Sequence, residues 1–103
     1  MAATMARAKT TLGFIGAGRV GTGLALSFAR AGCRIVAVAS RSAASAKRLS
    51  GRLRTRPATP QEVADRADIV FLTVPDDAIE AVSSAIRWRA GAACVHTSGA
   101  SEL

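Results

Sequence analysis

The sequence predicts an α/β domain in which helices cover both faces of a parallel β-sheet. From residue 11 onward, short apolar runs alternate with segments of helical periodicity, and a glycine-rich turn separates the first run from the first helix. Strands that alternate with helices build a parallel sheet through crossover connections, with the strands buried on both faces. The 103 residues suffice for one such domain.

The first strand, helix and second strand form a βαβ unit. Residues 11–15 predict a short buried strand, and residues 19–31 predict a helix that Gly32 ends in a left-handed conformation. Residues 35–39 are a continuous apolar run, typical of a buried parallel strand. Three apolar side chains at i, i+4 and i+8 predict the sheet-facing side of the helix: Val20, Leu24 and Phe28.

The middle of the chain predicts two helices and a very short strand. Ser42 is expected to cap a helix that buries Ala46, Leu49 and Leu53. Residues 57–58 leave room for only a stub of a third strand. Residues 59–62 (TPQE) match a helix start, with threonine as the cap, proline at the first position and glutamate at the third.

The last part of the chain predicts two more strands around one helix. Residues 68–74 form the fourth strand, which Pro75 ends, and Asp76 is expected to cap the next helix. Residues 92–97 form the fifth strand. The predicted sheet order is 3-2-1-4-5, with helices on both faces. The helix between these strands is expected to bury three side chains: Ile79, Val82 and Ile86.

The two cysteines and the single histidine predict no disulfide and no metal site. In the predicted sheet order, three strand spacings, about 14 Å, separate Cys33 from Cys94, whereas a disulfide needs Cα atoms within about 7 Å. With one histidine in the chain, a Cys/His zinc site is excluded. His96 alternates with Thr97 on the fifth strand and is expected to be a packed core imidazole rather than a catalytic group.

Charge is distributed unevenly along the chain. Residues 1–61 hold eleven of the fourteen Lys and Arg and no acid, and all seven Asp and Glu lie from Glu62 onward. A positive electrostatic field attracts phosphates, so residues 1–61 are expected to hold a polyphosphate. A solvated basic face is the alternative for residues 48–56. Residues 1–10 lack the apolar core of a signal peptide and are expected to be a flexible leader to a cytoplasmic domain, residues 11–103, without a membrane span.

The glycine-rich turn, GAGRVG, matches the dinucleotide-binding fingerprint G-x-G-x-x-G of the Rossmann fold. In that fingerprint, the first glycine permits the tight turn, the second lets pyrophosphate approach the backbone, and the third lets the helix pack on the strand. The phosphates then lie at the positive end of the helix. The alternative is a glycine-rich turn that binds nothing. The candidate cofactor-binding residues of this turn are Gly16, Ala17, Gly18, Arg19, Val20 and Gly21.

The end of the second strand predicts which dinucleotide binds. NAD-binding domains place an acid there for the ribose 2′-hydroxyl, whereas NADP-binding domains need a cation for the 2′-phosphate. Here the position is occupied by Ser40, Arg41 and Ser42, with no acid nearby. Arg41 can pair with phosphate through two hydrogen bonds, and Arg19 can reach the same phosphate. The sequence therefore predicts NADP, and a solvated helix-start cation is the alternative for Arg41.

The end of the fourth strand lies beside the first, where this topology places the ligand crevice. Val74 and Pro75 are expected to form an apolar wall for ribose or nicotinamide. Asp76 is interpreted as a helix cap rather than a catalytic acid, and Asp77 shares the same first turn. The sequence indicates no catalytic acid or base.

Four stretches together resemble a known bacterial group: GFIGAGRVGTGLA, ASRS, LTVPDDAI and VHTSGA. They are similar to short oxidoreductase-like proteins with an N-terminal Rossmann domain and a C-terminal helical domain of unknown function 2520. More distantly, they resemble pyrroline-5-carboxylate reductase and deazaflavin-dependent NADP reductases. By position, the resemblance implies that the glycine turn holds pyrophosphate and that residues 40–42 hold the adenosine ribose. It also implies residues that border the nicotinamide: Val74, Pro75, Thr97, Ser98 and Gly99.

The resemblance implies the cofactor half of an NADP-dependent oxidoreductase that acts on a small-molecule substrate by hydride transfer. It also implies a helical domain beyond Leu103 that shapes the substrate pocket and forms a homodimer. This chain is therefore expected either to be a fragment or to have its partner domain on a separate chain, and to be inactive alone. The alternative is a non-catalytic NAD(P) sensor. A methyltransferase is disfavoured because it usually has an acid after the second strand, and a nucleic-acid-binding module because no aromatic platform is present.

Overall fold

The computed structural model describes residues 10–96. These residues form four strands and four helices, and two of the helices follow one another between the second and third strands. In chain order they are β1 (Thr11–Ile15), α1 (Arg19–Arg30), β2 (Arg34–Ala39), α2 (Ala43–Leu53), α3 (Pro60–Arg66), β3 (Ile69–Leu72), α4 (Asp76–Ser84) and β4 (Ala93–His96). No helix in residues 10–96 is long and apolar enough to cross a membrane.

The strands form one parallel sheet in the order β2-β1-β3-β4. The predicted third strand is reduced to one bridge on the outer side of β2, where Pro57 pairs with Val38 and the Ala58 N–H donates to the Val38 carbonyl at 2.8 Å. Counting that bridge as the third strand reproduces the predicted order. The α/β Rossmann-type fold is therefore confirmed.

One face of the sheet packs on α1 and α2 through the larger side chains of the core. The ring of Phe14 is fully buried, and its centroid lies 5.0 Å from that of Phe71 in a stacked arrangement. Phe28 from α1 joins them, with its centroid 5.2 Å from that of Phe71. Leu49 of α2 closes this cluster at the carboxyl end of the sheet.

The opposite face packs on α3 and α4 through smaller side chains. Gly13 makes this possible at the centre of β1. A Cβ atom there would lie 2.5 Å from Val63 Cγ1 and 2.9 Å from Ala67 Cβ, so α3 packs directly on the strand backbone. Since cores are packed to crystal-like density, no side chain fits between the two.

The helix ends follow local sequence patterns in three predicted places. Thr59 and Glu62 form the predicted capping box: the Glu62 N–H donates to Thr59 Oγ1 at 3.1 Å, and the Thr59 N–H donates to Glu62 Oε1 at 2.9 Å. Ser42 caps α2 by accepting the Ser45 N–H at 3.2 Å. Gly32 follows α1 with a φ of +93°, as predicted. These devices fix the starts of α2 and α3 at the carboxyl edge of the sheet.

Three predicted details are wrong. Asp76 is not the cap of α4: Pro75 occupies the N-cap position, and Asp76 is the first helical residue. Val20 does not face the sheet but is 46% exposed, because the first turn of α1 extends past the carboxyl edge of β1. His96 is not a core imidazole but is exposed, because all of β4 is exposed at the edge of the described sheet.

A polar clasp joins β1 and β3 at the amino edge of the sheet. Asp68 Oδ2 accepts hydrogen bonds from the Thr11 N–H at 2.9 Å and from Thr11 Oγ1 at 3.2 Å. Its other oxygen pairs with the Arg89 guanidinium at 2.8 Å, and that side chain also donates to the Ala67 carbonyl. The Arg89 side chain and the Thr11 N–H hold the pKa of Asp68 below 3.8. The clasp therefore stabilises the ionised carboxylate.

The lowered pKa of Asp68 predicts a loss of stability in acid. A carboxylate whose pKa is depressed by folding stabilises the fold above its unfolded pKa, and this contribution disappears as the pH falls through the folded pKa. We expect Asp68→Asn to lower the free energy of unfolding at neutral pH. The difference from wild type should disappear as the pH falls through the folded pKa of Asp68, which lies below the ordinary carboxyl value, as measured by urea unfolding. A difference that stays constant with pH would show that packing, and not charge, is lost.

Candidate functional site

A crevice of about 390 Å³ opens at the carboxyl edge of the sheet, between the ends of β1, β2 and β3. This volume falls within the range of about 300–1,000 Å³ typical of small-molecule and cofactor sites. The turn after β1 forms its floor, the residues after β2 form one side, and β3 with α4 forms the other. Its lining consists of Ile15, Gly16, Ala17, Gly18, Ser40, Arg41, Pro60, Thr73, Val74, Pro75, Ala78 and Val82.

Hydrogen bonds to both neighbouring strand ends hold the glycine turn in place. The Gly16 N–H donates to the Ala39 carbonyl at 2.7 Å. On the other side, Thr73 Oγ1 donates to the Gly16 carbonyl at 2.8 Å, and the Thr73 N–H donates to the Ile15 carbonyl at 2.9 Å. Gly16 has a φ of +112°, and a Cβ there would collide with the Thr73 carbonyl. The turn is thus held on both sides by hydrogen bonds to the neighbouring strand ends.

The other two glycines of the fingerprint are present for opposite reasons. A Cβ at Gly21 would collide with the Gly16 carbonyl and with Thr73 Oγ1, so Gly21 is required by the packing of α1 on the turn. A Cβ at Gly18 would meet no heavy atom within 4 Å, and its φ of −81° is open to any residue. Nothing in the described fold therefore requires glycine at position 18. The absence of a side chain leaves this part of the backbone open to a ligand.

The amino end of α1 presents an uncompensated positive dipole to the crevice. Gly18 is its N-cap and offers no side-chain acceptor, and the first turn contains no acid. The first N–H groups of a helix have no intrahelical partners, and together they form an anion-binding end. The end of α1 can therefore hold a phosphate group through its backbone.

The residues after β2 place a cation and two hydroxyl groups beside the same crevice. Arg41 is exposed and lines the crevice together with Ser40. Ser40 Oγ accepts the Ser42 N–H at 3.2 Å, and Ser42 Oγ accepts the Ser45 N–H at 3.2 Å. Because a hydroxyl that accepts a hydrogen bond can still donate its own hydrogen, both serines keep a donor for an anion. The first turn of α2 contains no acid that would repel such an anion.

Apolar side chains form the opposite side of the crevice. Val74 and Pro75, predicted as a wall, lie there as expected in the lining. Five lining residues were not predicted from the sequence: Ile15, Pro60, Thr73, Ala78 and Val82. Pro60 begins α3, and the start of a crossover helix lies at the carboxyl edge of a parallel sheet. That topological signal, already present in the predicted helix start, could have identified it.

The remaining predicted residues lie around the crevice or outside the described chain. Arg19 and Val20 are exposed on the first turn of α1, and neither lines the crevice. Ser42 caps α2 outside the lining. Thr97 and Ser98, predicted to border the nicotinamide, lie outside the described residues.

Cys94 and Cys33 are both free thiols. Although Cys94 is exposed as a residue, partial burial of its thiol raises its pKa. A raised pKa disfavours the thiolate, which is the nucleophilic form, so Cys94 is not an activated nucleophile.

Comparison with known protein families identifies the fold by sequence. Residues 1–103 match the model of the Rossmann-like domain. None of the functionally curated proteins is significantly similar in sequence to this chain.

Several solved structures contain a domain similar to this chain. A Bacteroides fragilis protein provisionally described as an NADP oxidoreductase is 34% identical, with a TM-score of 0.79 over 88% of this chain and 36% of its own. A variant imine reductase from Myxococcus stipitatus, in complex with NAD⁺, is 28% identical, with a TM-score of 0.70 over 84% of this chain and 29% of its own.

Pyrroline-5-carboxylate reductase from Streptococcus pyogenes, at 19% identity and a TM-score of 0.65 over 77% of this chain and 30% of its own, shares the fold. This chain thus spans about a third of the length of each of the three.

Proposed function

Because the chain belongs to the Rossmann-like domain family, we propose that it is the NADP-binding domain of an oxidoreductase that transfers hydride to or from a small-molecule substrate. The observation that carries this proposal is the open space before Gly18, beside a strand end that offers Arg41 and no carboxylate. The Rossmann-type solved structures named above include NAD(P)-dependent oxidoreductases, which supports a nicotinamide dinucleotide as the ligand.

The glycine turn would hold the pyrophosphate. Gly18 leaves its backbone uncovered, and the amide groups that begin α1 donate to the phosphate oxygens without competition from a side-chain cap. Gly16 is fixed between Ala39 and Thr73, so the turn loses little further freedom on binding. Such preorganisation improves affinity because less ordering is needed at the moment of binding.

The end of β2 would hold the 2′-phosphate of the adenosine ribose. Arg41 supplies a planar guanidinium that can make two parallel hydrogen bonds to phosphate, and Ser40 and Ser42 supply hydroxyl donors. An acid at this position would instead repel the 2′-phosphate and accept from an unmodified ribose. The residues present therefore fit NADP better than NAD.

The apolar side of the crevice would hold the flat rings. Pro60, Ala78 and Val82 face the end of β2 across the crevice and suit a purine base beside Arg41, whereas Val74 and Pro75 lie next to the glycine turn. Apolar walls exclude water and orient a ring without reacting with it. When bound, the nicotinamide cofactor supplies the hydride chemistry. The residues of this chain bind and orient it.

Isothermal titration calorimetry of NADPH and NADH tests the proposal. We expect NADPH to bind at least about tenfold more tightly, because hydrogen bonds to a charged group contribute about 1.5–3 kcal/mol. Arg41→Ala should remove most of that preference while changing NADH affinity little. Arg34→Ala is the matched control: it removes the same charge from an exposed residue at the amino end of β2, far from the crevice.

Two results would contradict the NADP assignment. The first is equal affinity for the two nucleotides or a preference for NADH in the wild-type chain. The second is an equal loss of preference in Arg34→Ala and Arg41→Ala, which would indicate that net positive charge, and not a placed guanidinium, attracts the 2′-phosphate.

A further inference from the structure

A pocket smaller than the crevice lies in the groove between α1 and α2. It has a volume of about 160 Å³. This is below the range of about 300–1,000 Å³ that suits a nucleotide or a drug-sized ligand. Its lining consists of Ala17, Thr22, Ser45, Arg48, Leu49 and Arg52. Ala17 also lines the crevice, so the two pockets lie on either side of the glycine turn.

One face of α2 supplies most of this groove. Ser45, Arg48 and Arg52 follow one another at i, i+3 and i+7, which places them on the side of α2 that faces α1. Leu49 is 3% exposed and forms an apolar floor. The two arginines are exposed at the rim, where their guanidinium groups can turn toward the opening.

The two arginines have no acidic partner in the part of the chain that the structure describes. The ion pair found in residues 10–96 joins Arg89 to Asp68, at the opposite edge of the sheet. Neither α1 nor α2 contains an Asp or a Glu. Two unpaired cations on a surface without acids create a local positive potential that attracts anions.

The hydroxyl groups of the groove add hydrogen-bonding capacity. Thr22 Oγ1 donates to the Ala17 carbonyl at 3.2 Å, which leaves its oxygen as an acceptor. The Ser45 hydroxyl makes no hydrogen bond within residues 10–96 and can donate to a ligand. Arginine guanidinium groups and a hydroxyl donor are the groups that recognise the oxygen atoms of a phosphate.

We propose that the α1–α2 groove binds a phosphate monoester or inorganic phosphate between Arg48 and Arg52, separately from the dinucleotide crevice. The volume is large enough for one phosphate group and is less than half that of the crevice. Because Ala17 borders both sites, an anion in the groove would lie near a pyrophosphate at α1, and the two negative ligands should weaken each other's binding. The phosphate site itself does not rest on the NADP proposal, whereas the expected coupling to a pyrophosphate at α1 does.

Inorganic phosphate is the probe that tests the groove, at constant ionic strength and about pH 7.5, with backbone amide shifts followed by NMR. We expect saturable shifts at Thr22, Ser45 and Arg48. Arg48→Gln/Arg52→Gln should weaken binding by about tenfold or more, since it removes two charge-assisted contacts. The control Arg34→Gln/Arg56→Gln removes the same charge outside the groove and should change affinity less than about twofold.

Three results would overturn the proposal. Equal weakening in both double variants would show diffuse attraction to net charge. Shifts centred on residues 40–42 and lost in Arg41→Ala would place phosphate in the crevice. A smaller NADPH-over-NADH preference in Arg48→Gln/Arg52→Gln would assign the groove to the 2′-phosphate. A chain that binds phosphate in the groove but neither nucleotide would contradict the NADP proposal alone.

Discussion

Replacing Gly18 with valine is expected to abolish dinucleotide binding while leaving the domain folded. A Cβ at Gly18 meets no heavy atom within 4 Å, and the extended backbone there is compatible with a β-branched residue. The folded state should therefore lose no more than about 1 kcal/mol, chiefly because valine is a poorer N-cap than glycine. The added methyl groups occupy the space that pyrophosphate needs.

The expected loss of affinity for NADPH is about 100-fold or more, because displaced phosphates forfeit several charge-assisted hydrogen bonds to backbone amides. Calorimetry measures the affinity, and thermal unfolding checks the fold. Gly23→Val is the matched control, since Gly23 is also surrounded by open space but lies one turn further along α1. If Gly18→Val binds NADPH as the wild type does, the nucleotide does not use this turn.

Gly21→Ala should have the reverse effect and lower the stability of the domain whether or not a ligand is bound. Its Cβ would collide with the Gly16 carbonyl and with Thr73 Oγ1. Backbone oxygen cannot move aside as a flexible side chain can, so α1 must shift away from the turn. We expect a loss of about 2–3 kcal/mol, as in overpacked cores, despite the better helix propensity of alanine.

For a domain of this size, that loss lowers the melting temperature by roughly 10–20 °C. Gly23→Ala makes the same chemical change in the same helix at a position with open space, and it should raise stability by up to about 1 kcal/mol. Thermal unfolding of the two variants side by side gives the comparison. A Gly21→Ala variant as stable as wild type would mean that α1 does not press on the turn.

Local sequence patterns were sufficient to predict those structural features that depend on a few consecutive residues. The capping box of Thr59 and Glu62 involves residues only three positions apart, and Gly32 ends α1 through its own φ. The fold followed from the alternation of strands and helices, because few topologies accommodate that order. Asp76 failed as a cap because aspartate prefers both the N-cap and the first helical turn, and Pro75 already occupies the cap.

Contacts between residues far apart in the chain could not be predicted from the sequence. Thr73 fixes the glycine turn from 57 positions away, and Arg89 reaches Asp68 across 21 positions. Gly13 looked like an ordinary strand residue until α3 was seen to lie against it. Of the candidate site, the glycine turn and the end of β2 were identifiable because each is a contiguous motif. The apolar side formed by α3 and α4 was not.

The two faces of the sheet are packed with side chains of different size, so they tolerate different kinds of substitution. Beside α1 and α2, the stacked rings of Phe14 and Phe71 fill the core with bulk, so substitutions there fail mainly by leaving voids. Beside α3, where Gly13 meets Val63, no spare volume exists, and substitutions fail mainly by being too large. On the first face, replacing an aromatic residue with an aliphatic one is therefore expected to leave a void that partial repacking can reduce. On the second face, any side chain at position 13 is expected to force α3 away from β1.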